Sequence, residues 1–96
     1  MKAPEFLEQA AKHMEDRAAT YDTPEGERSM AATVEAFNAI ARCDLSEADG
    51  WMFMALLKMV RLSQRIKYHA DSAEDLVAYA ALMGEAKSQQ SEKLFT

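Results

Sequence analysis

Seven consecutive apolar residues, Trp51-Met-Phe-Met-Ala-Leu-Leu57, constrain this chain more than any other feature. The run falls well short of the roughly 20 residues an α-helix needs to cross a bilayer, so no membrane span is expected. Wound as a helix, it is apolar on every side. Such a helix lies at the centre of a fold or is covered in part by a partner. A chain of 96 residues makes one domain with a thin core. It is too small to surround this helix alone, so the run predicts a homo-oligomer assembled through the third helix.

The rest of the pattern is helical. No stretch sustains the apolar–polar alternation of a half-buried strand. The first helix is expected over about Pro4–Ala19, because proline suits the first turn and Glu5 and Glu8 complement the helix dipole there. Leu7 and Met14 mark its apolar line. Pro24 and Gly26 read as a turn. A second helix follows over about Glu27–Ala41, in which Met30, Val34, Phe37 and Ile40 repeat at helical spacing and predict a buried stripe. Ser46 and Asp49 stand as N-cap and N3, the signature of a capping box. The third helix is then expected to run to about Tyr68. Asp71 or Ser72 would cap a fourth helix ending near Lys87, with a polar, mobile tail over residues 88–96. Four helices with short connections predict an all-α, compact, four-helix bundle-like domain over residues 1–87.

Charge and cysteine content exclude several classes. The chain has 11 Lys and Arg against 16 Asp and Glu, a net charge of −5. A protein that coats nucleic acid needs surplus cations to displace counterions, so a nucleic-acid partner is not expected. Cys43 is the single cysteine; it cannot form an internal disulfide and reads as a small packed residue. No apolar signal core follows MKAPEFLEQ, and a cytoplasmic location is the expectation. Gly-rich phosphate loops, zinc-protease helices and nucleophile elbows are all missing.

What chemistry the sequence offers is a charged cluster. Lys58, Arg61 and Arg65 share one face of the third helix. Beyond the next turn come His69, Asp71, Glu74 and Asp75, and the loop between the first two helices adds Tyr21, Asp22, Glu27 and Arg28. The set has two readings. In one, Asp71 and Asp75, with Glu27 or Glu74, hold Mg²⁺, while Lys58, Arg61 and Arg28 neutralise phosphates, with Tyr21, Asp22 and His69 beside them. In the other, the same charges pair across a helical hairpin, and each exposed pair contributes only ~0–1 kcal/mol. His13 receives no role. Trp51, Met52, Phe53 and Met54 read as core or subunit interface. Tyr79 either joins the cluster or packs its ring.

The pattern Tyr21-Asp-x-Pro-x-Gly-Glu-Arg-Ser-Met30, Phe37-Asn38, Lys58-x-x-Arg61 and His69-x-Asp71-x-x-x-Asp75-x-x-x-Tyr79-Ala-Ala resembles a small domain family of unknown function found in bacteriophages and prophages. The resemblance covers roughly residues 5–87 and implies a phage or prophage source, hence the cytoplasm of a bacterial host. A looser resemblance is to the MazG-like all-α nucleotide pyrophosphohydrolases. It implies a helical oligomer that binds Mg²⁺ and splits nucleoside triphosphates. Asp71 through Ala81 is similar to the later metal helix of that group. The spacing departs from its pattern, because the only Glu-x-x-Glu here is Glu5-x-x-Glu8, far upstream.

Two functions follow as expectations. The leading one is a phage-encoded protein that binds, and hydrolyses where the metal site is complete, a nucleotide or nucleotide-like phosphate. The alternative is a non-catalytic phage interaction protein that binds or inhibits a host protein.

Overall fold

A computed structural model describes residues 1–20, 29–67 and 70–95. Among them are four α-helices: α1 (Ala3–Thr20), α2 (Met30–Ala41), α3 (Glu47–Gln64) and α4 (Ala70–Phe95), and no strand. The all-α, four-helix architecture is the one the periodicity predicts. The helices pack in the order α1 on α4, α4 on α3 and α3 on α2, and no other pair of described helices is closely packed.

The central layer is the α3–α4 pair. Ala48 and Trp51 of α3 and Leu82 and Ala86 of α4 form its buried cluster, and Ala55, Ala73 and Ala78 are buried elsewhere along the two helices. The alanines let the two helix backbones approach closely, and Trp51 fills the space they leave. Its ring stacks on Tyr79 with centroids 5.8 Å apart and planes at 23°, a geometry that adds roughly 0.5–1.5 kcal/mol beyond area burial. Met14 of α1 and Met30 of α2 pack against this cluster from either side.

The helix ends show which local signals were decisive. α3 begins with the capping box read from sequence: the Asp49 N–H donates to Ser46 Oγ at 3.1 Å and the Ser46 N–H to Asp49 Oδ2 at 2.9 Å. α3 stops at Gln64, four residues before Tyr68. The Ser63 hydroxyl donates to the Val60 carbonyl at 3.0 Å, a side-chain bond that competes with helix continuation, and Arg65 is extended. α4 begins at Ala70, so Asp71 and Ser72 lie in its first turn and neither caps it. It runs to Phe95, past the expected end near Lys87. Gly84, three residues before that expected end, costs the helix about 1 kcal/mol, and the Gln89 side-chain amide reaches Glu85 Oε1 at 3.5 Å across Lys87. α2 begins at Met30, after the expected start at Glu27.

Three burial expectations change. Of the α2 stripe only Val34 is buried; Met30 is partly covered, Phe37 is half-exposed and Ile40 is 85% exposed. The reason is topological: among the described helices, α3 alone packs on α2. Cys43 is exposed, on the loop after α2. On α1 the inward line is Phe6, Ala10 and Met14, with Leu7 exposed.

Candidate functional site

The hairpin folds so that the basic face of α3 meets the acidic start of α4. Lys58 stands one helical turn beyond Ala55 on the face that α3 turns to α4, and it reaches Asp75. The Lys58 Nζ–Asp75 Oδ2 distance is 2.9 Å, with the two side chains 13% and 19% exposed. At the preceding position of α4, Glu74 is buried and turns toward α1, where His13 Nε2 lies 2.8 Å from Glu74 Oε2. Three helices thus contribute to one polar seam, and each described acid within it has a basic partner.

That seam brings together Lys58, Glu74 and Asp75 of the predicted site. Asp71 and Arg61 are exposed to solvent, and among the described residues no three His, Cys, Asp or Glu side chains are placed to share a metal ion. Tyr21, Asp22, Glu27, Arg28 and His69 lie outside the described residues. Tyr79 spends its ring on Trp51. Among the described residues, no buried side-chain nitrogen or oxygen lacks a partner. Sequence reasoning missed His13. It is 61 positions from Glu74, and its only signal was a polar residue beside the inward line of α1.

A second feature is larger and of opposite character. Between α2 and α3 lies a groove of about 510 Å³, walled by Met30, Val34 and Phe37 on one side and Gly50, Phe53 and Leu56 on the other. Its floor depends on Gly50. A β-carbon there would collide with Met30 Sδ and come within 2.7 Å of Val34 Cγ2, so glycine lets α2 sit down on α3. Asp49, at one end, is the only charged residue among the described ones lining it.

The end of the groove is built by the α2–α3 loop. Arg42 ends α2 in the left-handed region, at φ 56° and ψ 48°, with its N–H on the Asn38 carbonyl. The Asn38 side chain then clasps Leu45 from both sides. Its Nδ2 donates to the Leu45 carbonyl and the Leu45 N–H donates to its Oδ1, each at 2.9 Å. These bonds hold Leu45 beside the groove, and the capping box fixes Asp49 one turn further on. Asp49 is held below the usual carboxylate range, first by the Ser46 backbone N–H, then by the Ser46 hydroxyl side, with Lys87 adding a smaller attraction against the opposing effect of burial.

The sequence matches the family described as "Domain of unknown function (DUF6378)" over residues 5–87, and the chain belongs to that family. No curated protein and no solved structure matches it.

Proposed function

We propose that this DUF6378 protein is a non-catalytic interaction module that works by burying apolar side chains of another polypeptide in the α2–α3 groove. One observation carries the reading. Large apolar side chains stay in water around a groove whose lining is apolar but for Asp49 and Thr33, Phe53 at 69% exposure among them, while the described acids of the polar seam already have partners. Apolar faces of this extent on small proteins mark interaction sites. A groove between two helices suits an amphipathic helix, which inserts residues at i, i+3, i+4 and i+7. A phage source and a host target fit this reading without being needed for it.

The competing reading is binding and hydrolysis of a nucleotide in the Lys58–Asp75 region with Mg²⁺, motivated by a cation and a carboxylate meeting across two helices and by the MazG-like rhythm of α4. For that, Lys58 would have to leave Asp75 to reach a phosphate, and the carboxylate it leaves is four-fifths buried. Turnover separates the two. The protein is incubated with pooled ribo- and deoxyribonucleoside triphosphates and Mg²⁺ or Mn²⁺, and the products are read by mass spectrometry. We expect neither monophosphate nor pyrophosphate. Turnover by the wild type that is lost in a folded Asp75→Asn protein reverses the assignment. Folding of that variant is checked by circular dichroism, because removing one partner of a largely buried pair costs about 1–3 kcal/mol.

A further inference from the structure

We infer that the polypeptide covering the α2–α3 face is a second copy of this chain, docked about a twofold axis that passes beside Leu56. This rests on the interaction reading above and names the partner for it.

The first support is area. The chain exposes 7150 Å², whereas a monomeric protein of 10.7 kDa exposes about 5,500 Å². Its radius of gyration is 14.7 Å, against about 12.5 Å for a compact domain of this length. A protomer with that much surplus surface has the dimensions of part of an assembly. Phe37, Ile40, Met52, Phe53, Leu56 and Met59 are between 45% and 85% exposed. At roughly 150–200 Å² for each fully exposed side chain, they present on the order of 600 Å² of apolar surface. The standard interface buries about 800 Å² per partner, so this face supplies most of one side. Methionine and phenylalanine are also residue types enriched at interface centres.

The second support is the order of residues along α3, which lets a second copy pair with it apolar on apolar. The open face carries Met52, Phe53, Leu56, Met59 and Val60, all exposed. The pattern is symmetric about Leu56: 52 and 60 stand four positions to either side, 53 and 59 three. Two antiparallel copies of α3 crossing at Leu56 therefore place Met52 opposite the partner's Val60 and Phe53 opposite the partner's Met59. Asp49 then falls opposite the partner's Ser63. A twofold interface must be self-complementary, and this one sets apolar residues on apolar residues with no carboxylate facing another. The two α2–α3 hairpins become a shared four-helix layer, which covers the third side of α3.

The test is sedimentation velocity of the full chain over a range of micromolar concentrations. The wild type is expected to be a dimer. Leu56→Asp, which sets two carboxylates against each other at the axis, is expected to weaken the dimer at least ~100-fold with unchanged helical circular dichroism. Phe53→Asp, at a more exposed position, is expected to do the same should Leu56→Asp fold poorly. Leu94→Asp, far along α4, is expected to leave the dimer intact. A wild type that is monomeric throughout overturns the inference, as does a dimer that both groove variants leave unchanged. If that monomer still binds an apolar dye and loses the dye in Phe53→Asp, the groove takes a different polypeptide and the interaction reading stands. If it binds no dye, both fall.

Discussion

α3 meets its two neighbours in opposite ways. Against α4 it presents Ala48, Trp51 and Ala55, and all three are buried. Against α2 it presents Gly50 and a few side chains at the bottom of an open groove. The first contact is a long seam of small residues closed by one large ring and an ion pair. The second is a short contact in which only Val34 of α2 is buried. One helix of 18 residues therefore has a finished side and an unfinished side. The difference teaches that the apolar run at 51–57 is divided: Trp51 and Ala55 are buried in the fold of one chain, while Met52, Phe53 and Leu56 stay exposed along the groove.

The sharpest way to break this comparison is at Trp51, which is 5% exposed and stacks on Tyr79. Trp51→Ala removes the filler of the α3–α4 seam, and the alanines around it cannot collapse into the gap. The expected loss is about 3–5 kcal/mol, read by chemical denaturation at a fixed protein concentration so that association does not enter. A loss below ~1 kcal/mol would mean that the seam is not the core.

Gly50→Ala probes the other side with a smaller effect. The added methyl meets Met30, whose flexible end can swing away, and Val34 Cγ2 at 2.7 Å, which is stiff and close to the α2 backbone. Overpacking of this kind costs about 1–3 kcal/mol, and alanine's better helix propensity returns about 1 kcal/mol. The net loss is modest, but it is local. Amide hydrogen exchange is expected to speed up along α2 and to stay unchanged in α4. Equal acceleration in both helices would show that α2 and α4 open as one unit, and the contrast between the two sides of α3 would disappear.

The parts of this arrangement that were legible in the sequence are those set by neighbours along the chain. Helix type and the Ser46–Asp49 capping box follow from spacings of three and four, and so do the basic stripe of α3 and the acidic stripe of α4, whereas the pairing of Lys58 with Asp75 needed the hairpin to fold back. The uncovered face of α2 was not legible. Met30, Val34, Phe37 and Ile40 share a side of a helix by periodicity, but periodicity is silent about whether anything lies over that side. His13 with Glu74 was hidden for the same reason, since α1 is placed on α4 by tertiary packing alone. The end of α3 was misread because nothing in the spacing marks the extended Arg65 that closes it. The oligomer expected from the apolar run remains a proposal, now attached to specific residues.

The smallest expected effect lies at the hinge between the two sides, where Asp49 both closes the capping box of α3 and ends the groove. Its carboxyl is held below the usual Asp value by the Ser46 N–H and hydroxyl. A carboxyl with a depressed value in the folded chain stabilises the fold above its unfolded value, about 3.9. That contribution disappears as pH falls through the lower folded value. Asp49→Asn keeps an oxygen facing the Ser46 N–H but loses the charge beside the positive helix terminus. Thermal melts of the two proteins are therefore expected to differ by a constant margin above about pH 5 and to converge as the pH is lowered through the acid range. Other carboxyls titrate there too, and they do so in both proteins, so the gap between the curves isolates Asp49. Curves that stay parallel into strong acid would show that the charge adds nothing at this end of α3, leaving the Ser46 and Asn38 hydrogen bonds alone to hold the mouth of the groove in place.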